Sequence, residues 1–460
     1  MIEFSHKPLL LTLGLGVFAG ALDLGVLSPA LPALGATFGV GARELAWVFT
    51  LYLLATVVAI PIMTQLADRF GRRTIYVLCV SIFAAGSVLA IAAPTFDVFL
   101  AARAIQAVGA GGIFPVATAA IADRIAPERR GAALGLVAAT WGLAAILGPL
   151  VGGTITHFLS WHWIFAANIP LALIVIALAV RHVPAIAPAV RGPLDVAGIA
   201  LLAVGLLATM TGLLRLDATS ATANAPAALS IAVAACCFFA LVPVERRAAQ
   251  PVIAPALLRN RQIMITYALE ILIGALEGGL FFIPAALVAA QGISLVAAGA
   301  IAAIGAFMFV MVIPGAGRAL DAVGSRAVLA LGTILTSAGL LLFAFSMQSL
   351  LGAVASMVIA GIGFGALLGA PTRYIVTREV DATQRATAVG LLSIFLIIGQ
   401  IVGAGLAGGI AGSHPGETGY VHVYETLAAV AIATLVLTSF LKSRSAEVCG
   451  TSLTSSAAPS

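Results

Sequence analysis

Four charged side chains interrupt otherwise apolar runs of this chain: Asp23, Arg103, Glu270 and Glu277. A charge at the middle of an apolar membrane span costs on the order of 2.5–3.5 kcal/mol, so each needs a partner, water or a task. Asp23 lies 16 residues beyond Lys7, roughly 24 Å across at the helical rise. Arg103 lies six residues after Asp97 on a helix running the other way, which brings it to matching depth and predicts an Asp23–Arg103 pair. Glu277 lies 16 residues beyond Arg261, and 277 minus 23 is 254. The same offset carries Arg103 onto Met357, so Glu277 repeats the acid without repeating the base. A carboxyl with no basic partner in a low-dielectric setting can hold a proton near neutral pH. The chemistry predicted is proton loading and release, with Asp23 held charged by Arg103 and Glu277 free to titrate.

Glu270 precedes Glu277 by seven residues, two helical turns on one face, and Tyr267, Gly274 and Phe281 share the stripe. Two acids and two aromatics suit a hydrated cavity for cationic or amphipathic guests, with Gln106, one turn from Arg103, as a further candidate on its wall. Blander readings stand beside these. Asp23 with Arg103 can be a structural ion pair, Glu277 can face a water-filled vestibule, and Glu270 can be a polar helix contact. Gln106 and Gln400 can serve as interhelical glue. His157, His162, Trp161 and Trp163 read as interfacial residues at a helix end.

The elements that carry these residues repeat. Thr64-Gln65-Leu66-Ala67-Asp68-Arg69-Phe70-Gly71-Arg72-Arg73 links two apolar runs, and Gly317 to Arg326 links two more, with Asp321, Gly324 and Arg326 in register. Arg130 and Gly135 recur as Arg385 and Gly390, and Gly109-Ala110-Gly111 as Gly363-Phe364-Gly365. Paired halves are the expected build of a membrane machine that rocks about a central site.

Composition agrees. The chain of 460 residues is 62% hydrophobic and 9% charged, against about a quarter charged in soluble proteins, so lipid must be its solvent. The net charge of +5 resides in short loops and forms no basic face for nucleic acid. Cys79, Cys236, Cys237 and Cys449 have no metal-ligand spacing, and no cofactor is expected. Fourteen stretches reach the roughly 20 residues needed to cross a bilayer, the weakest being 194–214 and 227–244. With both termini cytoplasmic, all of the 23 Lys and Arg except Arg43, Arg215 and Arg103 fall on the cytoplasmic side. The fold class expected is an all-α membrane protein. Residues 1–182 form a first six-helix bundle, 183–261 a linker with two inserted helices, 262–442 a second bundle, and 443–460 a disordered cytoplasmic tail.

These residues resemble the major facilitator superfamily, nearest its fourteen-span drug:proton antiporters, from about Leu9 to Leu441. Leu22-Asp23 with Ala30-Leu31-Pro32 resembles the first-helix signature, and Asp68-Arg69-x-Gly71-Arg72-Arg73 the cytoplasmic loop motif. Arg103-x-x-Gln106 with Gly109 is similar to the fourth-helix motif. Gly148-Pro149-x-x-Gly152-Gly153 is similar to the fifth-helix motif associated with antiport. Trp161 to Phe165 with Asn168-Ile169-Pro170 matches the start of the sixth helix in that branch. Thr64, Ala107 and Ala144 stand where relatives usually have glycine, and the ninth span, beginning near Ile263, supplies the acids rather than the thirteenth, beginning near Thr387. Independently, Asp68 sits beside a helix N-terminus, leaving Arg72 and Arg73 to contact the other bundle or lipid phosphate.

The only lysines, Lys7 and Lys442, lie outside any glycine-rich loop, which excludes a Walker A site. The repeat disfavours a channel, and neither a His-Glu-x-x-His nor a Gly-x-Ser-x-Gly motif supports an enzyme. The expectation is a monomeric, multi-pass transporter of the bacterial inner membrane, touching lipids, protons and a small-molecule substrate. It would export lipophilic or cationic compounds by proton antiport. The alternatives are a dedicated exporter of one metabolite or antibiotic and, more remotely, a transport-inactive sensor or an intramembrane enzyme.

Overall fold

The computed structural model describes residues 7–185, 195–215, 225–248, 257–368, 371–380, 385–414 and 416–442. The tail expected at 443–460 and most of the linker into the insert lie outside the described residues. The first half consists of α1 (Lys7–Leu27), α2 (Leu31–Phe38), α3 (Ala42–Phe70), α4 (Arg72–Ile91), α5 (Phe96–Arg124), α6 (Pro127–Phe158) and α7 (His162–His182). The helices α8 (Val196–Arg215) and α9 (Ala225–Glu245) follow, then a single 3-10 turn at Leu257–Arg259. The second half consists of α10 (Arg261–Leu280), α11 (Ile283–Gln291), α12 (Leu295–Val323), α13 (Ser325–Ser346), α14 (Leu350–Leu367), α15 (Pro371–Glu379), α16 (Arg385–Ser413) and α17 (Glu417–Thr438). Fourteen segments are long and apolar enough to span a membrane, including both stretches that were weakest in the sequence.

The repeat is visible in packing. Helix α1 lies on α6 as α10 lies on α16, α4 on α5 as α13 on α14, and α4 on α7 as α13 on α17. The helix breaks repeat too. Helix α1 ends at Leu27 before Ser28-Pro29, and α10 ends at Leu280 before Phe281-Phe282. Each break leads into a short helix with proline in its first turn, Pro32 in α2 and Pro284 in α11, where a missing N–H leaves no gap in the ladder. The turns α3–α4 and α12–α13 pivot on Gly71 and Gly324, whose φ values of 90° and 85° suit residues without a Cβ. This is the backbone reason for glycine in the loop motif and its repeat.

One end of the helix array carries Arg69, Arg72, Arg73, Arg181, Arg261 and Lys442 and is termed the basic end. The halves meet through α3 on α16 and α6 on α12. Their junction is tight at the opposite, far end. Gly412 lies against Arg43, whose Nη2 donates to Ser413 Oγ at 3.1 Å, and Gly153 meets the carbonyl of Leu295. Ser28 Oγ donates to the Phe281 carbonyl at 2.6 Å, so the two helix breaks touch each other. Phe281 stacks on Phe49 with ring centroids 4.5 Å apart. Helix α8 packs on α9 and also on both α3 and α16, with Met210, Leu213 and Leu214 against Gly405, Gly409 and Gly408.

Candidate functional site

In the first half the charged residues converge in a closed cage. Helix α1 presents Asp23 and α5 presents Arg103, joined by a 2.5 Å ion pair with both side chains fully buried. Gln106 Nε2 donates to Asp23 Oδ1 at 2.8 Å and to Ser87 Oγ at 2.9 Å, while its Oε1 accepts from Arg103 Nη1. Asn168 Nδ2 on α7 donates to the same Asp23 oxygen at 2.9 Å. The Arg103 guanidinium lies 4.2 Å from the Tyr52 ring centre on α3. Two helices therefore donate to this carboxylate, through Arg103 and Gln106 of α5 and Asn168 of α7, while Ser87 of α4 accepts from Gln106 and Tyr52 of α3 lies beside Arg103. The sequence pointed to Asp23, Arg103 and Gln106. It missed Ser87 and Tyr52, whose signal is a polar atom inside an apolar helix. Asn168 entered only through a motif.

The second half is built differently. Glu277 is half-buried on α10, and its Oε2 accepts from Gln400 Nε2 on α16 at 2.9 Å. Among the described residues no basic side chain pairs with it. Offsetting the cage by 254 residues shows why: Arg103, Gln106, Ser87 and Tyr52 map onto Met357, Ala360, Leu341 and Ala306. The backbone differs as well, since α5 packs against α1 while α14 makes no comparable packing on α10. Glu270 is buried at 6% exposure, with the Thr372 side chain in hydrogen-bonding reach and Arg373 and Glu277 as charged neighbours.

The stripe predicted to line a cavity is largely a helix contact. The Tyr267 hydroxyl donates to the Ala388 carbonyl at 3.0 Å, and its ring stacks on Phe395, so it faces α16. Gly274 and Gly278 give α10 its close approach to the backbone of α16, where a Cβ would strike Leu396 and Gln400. Phe281 belongs to the far-end junction, and Gln106 lies wholly inside the Asp23 cage. Small and aromatic residues at a helical period serve either purpose; the partner helix decides.

Other expectations are corrected at the ends of the helices. Arg72 is held within its own half, 2.5 Å from Asp68 and 3.1 Å from Asp123, and Arg73 donates to the Val180 carbonyl at 3.2 Å. Neither reaches the other bundle. Arg69 stands in the last turn of α3, and Arg326 is exposed at the start of α13. The side chain of Asp321 lies outside the described residues. Trp161 is a buried plug rather than an interfacial anchor, packed with Phe38, Phe99 and Phe165, whereas Trp163 is 56% exposed. The glycines of Gly148-Pro149-x-x-Gly152-Gly153 lock α6 on both sides. Gly148 meets Gly25 and Gly152 meets Val26 of α1, while Gly153 and Pro149 meet Leu295 and Gly299 of α12.

The sequence profile described as Major Facilitator Superfamily matches residues 13–314 and 266–452. The chain is 35% identical over 400 residues to the uncharacterized MFS-type transporter YfiU of Bacillus subtilis (strain 168), covering 84% of this chain and 76% of that protein. It is 28% identical over 426 residues to the multidrug transporter protein MdtP of the same organism, covering 90% and 77%. The fold matches the crystal structure of the nucleoside transporter NupG with a TM-score of 0.66, at 16% identity over 93% of this chain and 98% of that one. The family and these relatives are transporters, not enzymes. A multi-pass helical protein with two halves in repeat, fourteen candidate spans and this profile across nearly its whole length belongs to the Major Facilitator Superfamily.

Proposed function

We propose that the chain exports small lipophilic or cationic organic compounds in exchange for protons, by alternating access between its two halves. The observation that carries this reading is the unequal treatment of two equivalent acids. Asp23 is enclosed by Arg103, Gln106 and Asn168, whereas Glu277 is half-buried with one neutral amide as its partner. A carboxyl in that setting can exist in both protonation states, and its charged form attracts cationic cargo. Glu270, seven residues nearer the basic end, is the second acid on the route. Protonation of Glu277 from the far side releases cargo; loss of the proton at the basic end restores binding.

Orientation belongs to the same proposal. The basic end faces the cytoplasm, since Lys and Arg collect there, and both termini lie on that side of the bacterial inner membrane. The domain boundaries read from the sequence, with a first bundle over 1–182, an insert over 183–261 and a second bundle over 262–442, are retained. The likeness to MdtP, named a multidrug transporter, supports a broad substrate range. The closed far-end junction between Ser28, Phe49 and Phe281 fits a state whose site opens toward the cytoplasm.

The test is gradient-driven ethidium uptake into energised inverted vesicles, whose lumen corresponds to the cell exterior. Glu277→Gln is expected to lower gradient-driven transport by about a hundredfold, the scale on which a lost proton-transferring group acts. Normal export with a preserved response to the pH gradient would remove Glu277 from the mechanism. A growth-inhibition panel separates broad export, which protects against unrelated compounds, from a dedicated exporter, which protects against one.

A further inference from the structure

We infer that Gln400 is the positioning residue of the proton-coupling carboxyl, an amide partner on α16 that holds Glu277 in one place in both of its protonation states. The inference rests on the coupling role proposed for Glu277 and deepens it. The geometry begins with the backbone. Gly274 and Gly278 on α10 face Gly399 and the main chain of Gln400, while Gly399 and Gly403 on α16 face Ile271 and Ala275. This reciprocal set of glycines fixes the axial register of the two helices and holds the Gln400 main chain against α10. The Gln400 side chain is 9% exposed, and its Nε2 lies 2.9 Å from Glu277 Oε2. The first-half equivalent of Gln400 is Ile146, so this polar contact belongs to the second half alone.

The chemistry of an amide suits this position. A primary amide carries donors on nitrogen and an acceptor on oxygen, whereas a guanidinium can only donate. Facing a charged Glu277, Gln400 donates through the Nε2 that lies against Oε2. Facing a protonated Glu277, the same amide turned over accepts from the carboxyl O–H. One hydrogen bond therefore survives the proton transfer, and the carboxyl stays on the α16 side of α10 throughout. Arg103 offers Asp23 no such choice, because loss of charge on the acid would leave the guanidinium facing a poorer acceptor.

The ionisable groups around this pair are few among the described residues. On α10 there are Arg261 at its start, Tyr267 with its hydroxyl on the Ala388 carbonyl, and Glu270, and α15 brings Arg373 beside Glu270. The ionisable residues of α16 are confined to Arg385 at its start, fifteen residues before Gln400. Helix α17 carries Glu417, Tyr420, His422, Tyr424 and Glu425 in its first turns, with Glu425 paired to His422 at 3.1 Å, and it meets α10 through Leu427 against Gly279. Gln400 is thus the polar group that the structure places directly on Glu277.

The experiment measures the pH dependence of gradient-driven ethidium efflux in proteoliposomes for wild type, Gln400→Met, Glu277→Gln, and the exchanged pair Glu277→Gln with Gln400→Glu. Methionine keeps the volume and removes both bonds, of which the one to the charged acid is the stronger, so the Gln400→Met profile is expected to move toward alkaline pH by about one unit. The exchanged pair returns an acid and an amide to the same contact and is expected to regain pH-dependent efflux that Glu277→Gln lacks. An unshifted Gln400→Met profile, together with a dead exchanged pair, overturns the positioning role while leaving Glu277 in place. A wild-type profile in Glu277→Gln overturns the underlying coupling role instead, so the two failures are told apart by which variant is silent. Folding is checked by monodispersity in detergent, and Gln400→Asn, which keeps the amide, is the second variant: it is expected to retain a profile nearer the wild type than Gln400→Met.

Discussion

Asp23 and Glu277 hold equivalent places on equivalent helices, α1 and α10, yet their surroundings treat an acid in opposite ways. In the first, α5 and α7 close on α1 and surround the carboxylate with donors from Arg103, Gln106 and Asn168. In the second, the equivalents of three donor or ring positions are Met357, Ala360 and Ala306, and the acid turns to α16 and finds Gln400. A duplicated scaffold can therefore keep one copy of a charge as structure and release the other for work. The difference lies in the neighbours rather than in the acid. Retaining the first as a locked pair is physically coherent, because breaking a buried pair leaves an uncompensated charge.

The comparison can be broken by making the halves alike. Gln400→Arg gives Glu277 the kind of partner that Asp23 has in Arg103 and is expected to hold it charged, cutting proton-driven efflux by about a hundredfold while ligand binding persists. An unchanged pH response in vesicles would mean that the cage does not set the behaviour of the acid. Next in size, Arg103→Met strands Asp23 and should cost about 3–5 kcal/mol, seen as a lowered unfolding midpoint in detergent. Adding Asp23→Asn to it should recover most of that loss. Failure to recover would show that Arg103 stabilises the fold through Tyr52 or Gln106 rather than through Asp23.

Smaller effects sharpen the picture of what places Gln400. A Cβ at Gly278 would run into the backbone of Gln400, so Gly278→Ala should cost about 1–3 kcal/mol by overpacking. Gly390→Ala, where a Cβ meets open space, is the control and should be nearly silent in the same thermal assay. Smallest of all, Arg72→Gln removes partly exposed contacts to Asp68 and Asp123 and should change stability by less than about 1 kcal/mol.

The architecture was legible because lipid imposes one rule on every span, and an apolar run long enough to cross the bilayer must be a helix. The 254-residue offset then placed mates without any knowledge of tertiary contacts, and depth alone brought Asp23 to Arg103. What the sequence could not tell was direction across a face. Tyr267, Gly274 and Glu277 share a stripe, but whether the stripe meets water or another helix depends on α16, more than a hundred residues later. Trp161 illustrates a missed local clue. It and Trp163 are about 200° apart around a helix, so one of them had to point inward. Asp68 and Arg72 carry another, since opposite charges four residues apart, on either side of the Gly71 turn, lie near enough to meet.

The inserted hairpin imposes its own constraint on motion. Helix α8 rests on α3 from one half and on α16 from the other, and at Gly408 all three helices meet, beside Ala46 and the Leu214 side chain. Two bodies bridged by a third cannot tilt apart without slipping against it or carrying it along. On the alternating-access reading, the free-energy difference between inward- and outward-facing forms therefore contains the adhesion of this bridging helix.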